Sequence, residues 1–324
     1  MKAVVFDRIG LPAEMLYVAD VPVPEIGPGE ALVRMVASAI NPGDFLFVQN
    51  LYPEPKKPRF PRQIAGNHGA GVIERAGPGV ALPPGTLVAF SHERTWAEYA
   101  AVPAEYLIPL PPDLPAEKAG QLMNPITAWD LVAESGVEPD QWLAVTAGYS
   151  TISTLVLQFA RRRGIRTVAI VRRAHPELDL RELGAEAVID LSRQDLRAEV
   201  LAVTGGAGLH GVVDNVGGPA TGTLIRSLAF GGRVVINGGM SEESFTLHNF
   251  DLLLNGVTLR PSIYRYFFGP PAPEDAAMLR EMIEVFARPE IRVPLGGVHP
   301  LEDAERAIAE SWARPGDGKR IFRM

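Results

Sequence analysis

The sequence predicts an α/β protein in which a doubly wound parallel sheet is inserted between two stretches of a β-rich domain. Three observations predict it. From Trp142 onward, short β-branched runs alternate with segments of helical spacing, the pattern of parallel strands joined by crossover helices. Before about residue 115 the runs are short, apolar or alternating, and broken by Pro and Gly. The length of 324 residues gives room for about two domains, each with its own core.

In the first stretch, Lys2–Phe6, Glu30–Ala39, 71–76, Leu87–Ser91 and 96–102 read as strands. PGE before Glu30–Ala39 and PPG before Leu87–Ser91 each turn the chain into a strand, and the whole reads as a β-barrel-like region. At Leu114 the pattern changes. LPAEKAGQLMNPITAWDLVAESG has apolar residues at helical spacing, interrupted at Pro125, and VEPDQW is a turn.

The next segment, QWLAVTAGYSTISTLVLQFARRRGIRTVAIVRR, organises the middle of the chain. Residues 142–146 suit a buried strand, 153–163 a helix ending in arginines and Gly164, and 167–171 a second strand. This is a βαβ unit, and a turn at the start of its helix can present backbone N–H groups to a phosphate. The turn offers Gly148, Tyr149, Ser150, Thr151 and Ile152 as cofactor-binding residues. It is poor in glycine, with Thr151 and Ser153 where glycines would be expected, so the hydroxyls of Ser150, Thr151 or Ser153 are expected to replace them around a pyrophosphate. Thr151 is β-branched and resists positive φ, so the turn must follow a different path. A βαβ unit that binds no nucleotide would also fit this segment.

The second strand ends in Arg172 and Arg173, where an acidic residue would bind the bare ribose and arginine fits a 2′-phosphate. The expected cofactor is therefore NADPH, although two solvated charges after a strand would look the same. Further on, 178–183, 195–204 and 221–230 read as helices, and AVIDL, GVVDNV and GGRVVINGG as strands. Asn237, Gly238, Gly239 and Met240 follow the last of these, at the end of a parallel strand where ligands sit. From residue 258 the pattern is mixed again, and GKRIFRM reads as a closing strand. The expected domains are 1–117 with 258–324, and 118–257.

Composition narrows the function. The net charge of −7 argues against nucleic acid, and the basic segments RRRGIR and VRRAH flank the βαβ unit. There is no cysteine, which excludes disulfides and thiolate metal sites. No apolar run is long enough to suggest a membrane span, and MKAVVFDRIG has no signal or transit character, so a cytoplasmic location is expected.

Motifs along the chain carry a specific resemblance. They are EIGPGEALVRMVASAINPGD, NHGAGVIERAGPGV, RTWAEYA, NPITAWDLV, the βαβ unit, RELGAEAVID, GVVDNVGG, FGGRVVINGGM and GKRIFRM. In this order and spacing the chain resembles the medium-chain dehydrogenase/reductase superfamily, in its zinc-free quinone reductase and enoyl reductase branch. QNLYP, VRRAHPEL and NGGMSEESFTL lean toward NADPH-dependent 2-enoyl thioester reductases. The resemblance implies a GroES-like β-rich catalytic domain, a Rossmann domain, a cofactor held in the cleft between them, and a homodimer built through the nucleotide domains.

It also implies residue roles. Tyr52 matches a tyrosine that assists reduction, by donating to the carbonyl system as hydride reaches the β-carbon. Related quinone reductases have a tyrosine there too, and a tyrosine packed in a loop remains compatible with the sequence. Asn124 matches an asparagine near the nicotinamide ribose, and Lys319 a lysine thought to reach the cofactor. The family's second phosphate-binding arginine falls on Ala174, with Arg173 as its replacement. Zinc members carry cysteine and G-H-E; here the segment is Gly66–Asn67–His68, so no metal is expected and His68 reads as structural. Tyr264, Tyr266, Phe267 and Phe268 could wall a substrate pocket or belong to the core. The leading expectation is a reductase of α,β-unsaturated substrates, with 2-enoyl thioesters favoured. The alternatives are an NADPH:quinone reductase, and a nucleotide-binding protein that has lost catalysis.

Overall fold

The computed structural model describes residues 1–54 and 56–324; Pro55, in the LYPEP loop, lies outside the described residues. The chain forms two units, Met1–Met123 with Arg265–Met324, and Asn124–Tyr264.

The first unit carries β1 (Lys2–Phe6), β2 (Tyr17–Asp20), β3 (Glu30–Ala39), β4 (Gln63–Ile64), β5 (His68–Ala76), β6 (Leu87–Ser91), β7 (Tyr99–Pro103) and β8 (Ile108–Pro109). β3 is its hub, pairing antiparallel with β5 and β7. Its interior face buries Ala31, Val33 and Met35 against Ile73, Val88, Phe90 and Val102. A second cluster packs Val4, Phe6, Phe45, Phe47, Trp96 and Phe322. Burying side chains of this size is what makes the unit stable, at about 1.5–3 kcal/mol each before entropy is counted.

The second unit carries β9 (Trp142–Val145), β10 (Arg166–Val171), β11 (Ala187–Asp190), β12 (Leu209–Asp214), β13 (Leu228–Ile236) and β14 (Thr258–Pro261). All five pairings are parallel, in the order β11-β10-β9-β12-β13-β14. β9 is buried along its whole length, as a central strand covered on both faces must be. The order reverses direction at β9 and β12, which makes the carboxyl ends of these two strands the topological switch point. The chain then returns to the first unit with β15 (Leu295–His299) and β16 (Lys319–Arg323), and β16 pairs antiparallel with β3. This pairing explains why the C-terminal segment belongs with the N-terminal one.

Several expectations shift. The units divide a few residues later at each end than 117/118 and 257/258. Lys118 Nζ bonds the carbonyl oxygens of Phe286 and Arg288, which keeps its short helix in the β-rich unit. β14 pairs with β13 and so extends the parallel sheet. Residues 178–183 form no helix but an irregular stretch ending in turns at 180–183, and the helix Pro219–Ile225 ends before Leu228–Phe230, which open β13. NPGD is the start of the helix Pro42–Val48, with Pro42 at its first position. Pro125 does not interrupt the helix Met123–Ser135, because proline in a first turn removes an N–H that has no partner anyway. No helix among the described residues is long and apolar enough to cross a membrane.

Candidate active site

Each unit gathers polar residues into one place. In the second unit the place is the carboxyl edge of the sheet. The turn from Thr146 to Ser150 leaves β9 there, and the backbone turns with positive φ at Ala147 (51°), not at Thr151. Thr151 is the first residue of the helix Thr151–Arg162, so its β-branch is no obstacle. Gly148 is required by space: a Cβ would stand 2.9 Å from Val171 Cγ1 and 3.0 Å from Leu180 Cδ1.

The hydroxyls are used differently from the expectation. Ser150 caps the helix, its Oγ accepting from Ser153 N at 3.1 Å. Ser153 is fully buried; its Oγ donates to Thr146 O and accepts from Ser150 Oγ and Asn215 Nδ2. Ser153 thus shapes the turn from inside and has no hydroxyl to offer a phosphate. Thr151 is also buried, Ile152 is half-buried, and Tyr149 is half-buried at the turn's surface. The backbone N–H groups of this first helical turn are the donors that could meet an anion here.

Sequence reasoning missed the polar network beneath the turn. Thr146 Oγ1 donates to Asp214 Oδ1 at 2.9 Å and accepts from Asn215 N at 2.8 Å. Thr221 Oγ1 donates to Asp214 Oδ2 at 2.6 Å, and Asn237 Nδ2 donates to Asn215 Oδ1 at 2.7 Å. Asp214 therefore fastens the ends of β9 and β12 to the helix Pro219–Ile225, while Asn215 reaches β13. The signal was present in GVVDNVGG, a β-branched run ending in polar residues and glycines at a parallel strand end. Gly238 backs directly onto the Asn215 carbonyl, leaving no room for a Cβ. Gly239 meets no neighbour, and Met240 is 66% exposed. Asn124 is buried in the first turn of its helix.

Arg172 and Arg173 lie exposed beyond β10. The loop that carries them is anchored at its next two residues. Ala174 N donates to Asp190 Oδ2 at 3.0 Å, and His175 N donates to the Tyr149 hydroxyl at 2.7 Å.

In the β-rich unit the polar residues gather around the helix Pro42–Val48. Asp44 is 1% exposed and its carboxylate accepts three N–H groups: Asn41 N at 2.8 Å, and Asn67 N and Nδ2 at 2.9 Å each. Burial pushes its carboxyl up to about 6, against these donors and the nearby Lys319. Lys319 Nζ donates to Ile40 O at 3.2 Å, and desolvation pushes its ammonium down to about 8. Desolvation, then Lys56 and Lys319, push His68 down to about 3, so its imidazole is neutral.

The Tyr52 hydroxyl stands where a Cβ on Gly43 would be. Burial, with Asp44 nearby, raises its pKa, so the phenol keeps its proton. The Tyr52 ring meets Phe267 edge-on, with centroids 5.0 Å apart, and Lys56 Nζ lies 4.5 Å over the Phe267 ring. The aromatic run is thus divided: Phe267 flanks Tyr52, Tyr266 is 3% exposed, and Phe268 is 58% exposed. Among the described residues no group of three or more His, Asp or Glu is arranged to hold a metal ion. What this arrangement can do chemically is hold a neutral proton donor beside a buried carboxyl and an amine.

Comparison with known proteins agrees with both halves. Residues 27–112 match the alcohol dehydrogenase GroES-like domain, and residues 151–286 match the zinc-binding dehydrogenase domain. The chain is 28% identical to the mitochondrial enoyl-[acyl-carrier-protein] reductase of Xenopus tropicalis, covering 96% of this chain and 91% of that one. Its fold superposes with a TM-score of 0.89 on a protein from Bacillus thuringiensis proposed to be an NADPH:quinone reductase, at 26% identity over 100% of this chain and 98% of that one. A mycobacterial protein solved in complex with NADPH matches with a TM-score of 0.85, at 25% identity over 100% of both chains.

Proposed function

Because the chain belongs to the medium-chain dehydrogenase/reductase superfamily, in the branch of the enoyl and quinone reductases, we propose that it is an NADPH-dependent, zinc-independent reductase of an activated C=C bond, with 2-enoyl thioesters as the substrate class. The observation that carries this reading is Tyr52, a phenol held protonated over Gly43 beside Asp44.

The cofactor reading is supported by the fit of the nucleotide unit's edge. A helix N-terminus and the exposed Arg172 and Arg173 suit a pyrophosphate and a 2′-phosphate in turn. Gly148, Tyr149, Ser150, Thr151 and Ile152 would surround the pyrophosphate, with Asn124, Asn237, Gly239 and Met240 toward the nicotinamide. When bound, the nicotinamide supplies the hydride. The protein's own part is to answer the charge that then builds on the substrate carbonyl. Tyr52 can donate a hydrogen bond there with its proton retained, since burial keeps the phenol neutral. Zinc independence is supported by Asn67, whose amide nitrogen is committed to Asp44 as a donor and has no lone pair for a metal.

A quinone reductase on the same scaffold is the second reading, favoured by the Bacillus thuringiensis structure. The homodimer is supported by β14, the open edge of the parallel sheet, and by the exposed apolar Phe230, Leu253 and Leu254 of the same unit. The decisive experiment is oxidation of NADPH with crotonyl-CoA, longer 2-enoyl-CoAs and simple quinones. Turnover of quinones alone would replace the leading reading with the second. Failure to bind any dinucleotide would remove both.

A further inference from the structure

The geometry points to Tyr149 as the residue that completes NADPH selection, fixing the arginine-bearing loop and donating its own proton to the 2′-phosphate. The inference rests on the cofactor reading above and adds to it a residue outside the arginine pair.

Tyr149 sits in the turn after β9, but its phenol reaches the loop after β10. His175 N donates to its hydroxyl oxygen at 2.7 Å, and the two rings lie 5.7 Å apart between centroids. In that bond the phenol is the acceptor. A phenol also carries one O–H donor, and no described residue takes it. The loop's other anchor is Asp190, whose oxygens are occupied by Ala174 N, Ser192 N and Ser192 Oγ. The Asp190 carboxylate is therefore engaged with donors of its own.

The result is a loop pinned at Ala174 and His175 while the preceding residues, Arg172 and Arg173, stay exposed. Pinning the backbone removes part of the ordering cost of binding a phosphate. The phenolic O–H adds a neutral donor to the loop that carries the two guanidinium forks, and a phosphate dianion has oxygens enough for all three. NADH lacks the phosphate, so it gains nothing from that donor.

The test is direct titration of NADPH and NADH, by cofactor fluorescence, against the native protein, Tyr149→Phe and the double variant Arg172→Ala/Arg173→Ala. Tyr149→Phe keeps the ring against His175 and removes only the hydroxyl. Loss of a hydrogen bond to a charged group should lower the NADPH-to-NADH affinity ratio by roughly 10-fold or more. A ratio equal to the native one overturns the inference. So does an equal loss of both cofactors, which would mean that Tyr149 only shapes the turn. If the native protein prefers NADPH and the arginine variant abolishes that preference while Tyr149→Phe preserves it, the cofactor reading stands and this inference falls. Equal native affinities for the two cofactors would overturn both.

Discussion

The hydroxyl of Tyr52 fills the space that a side chain at Gly43 would occupy. The glycine is therefore part of the site: its missing Cβ is the berth of the phenol, at the start of the helix that carries Asp44. Gly43→Ala should push the hydroxyl aside while the ring stays against Phe267. A displacement of about 1 Å can cost roughly 10²-fold in turnover. Steady-state enoyl reduction by Gly43→Ala, compared with its melting temperature, checks this; normal turnover would show that the berth is irrelevant.

Tyr52→Phe removes the donor and keeps the ring. Enoyl reduction should fall by about 10²–10⁴-fold, the range for one positioned acid–base group. Quinone reduction should fall less, since a quinone can take hydride with less need of that donor. Unchanged enoyl turnover would reduce Tyr52 to a packing residue.

Asp44 predicts a pH signature in stability. Its carboxyl titrates near 6 in the folded protein, against about 3.9 in an unfolded chain. Between those values the folded protein holds a proton that the unfolded chain has released. Stability from this group is thus complete below about pH 4 and lost as pH rises through 6, by about 3 kcal/mol in all. Asp44→Asn cannot ionise. Urea unfolding should show the variant gaining on the native protein between pH 4 and pH 7, above a constant cost for the donor it sets against Asn41 N–H. A difference that does not vary with pH would refute the assignment.

Arg172→Ala/Arg173→Ala should weaken NADPH far more than NADH. Each lost charge-assisted contact to the phosphate costs roughly 1.5–3 kcal/mol. Calorimetric titration of both cofactors decides it, and equal losses for the two would contradict the phosphate role.

The dimer has its own measurement. Sedimentation should give about twice 35.0 kDa, and Leu253→Glu/Leu254→Glu, at side chains 70% and 69% exposed, should give the monomer. A native monomer would remove the dimer from the proposal.

The sequence by itself determined the two-unit plan. Hydrophobic period and Pro/Gly punctuation depend on local residues, so they placed Lys2–Phe6 and Glu30–Ala39 with their observed bounds, and β9, the following helix and β10 within a residue or two. Motif order indicated the family, and chemistry at a strand end singled out Arg172 and Arg173. Only the tertiary structure decided what the polar side chains do with one another. Ser153 looked like a phosphate ligand because its hydroxyl stands where the turn lacks a glycine, yet three-dimensional packing spends that hydroxyl on Thr146 and Asn215. Asp44 and Asn67 are far apart in the chain and share a bond only because the helix Pro42–Val48 folds against the start of β5. Tyr149 reaches His175 because β9 and β10 are adjacent in the sheet. Such partnerships arise from strand order and packing, which no local pattern encodes.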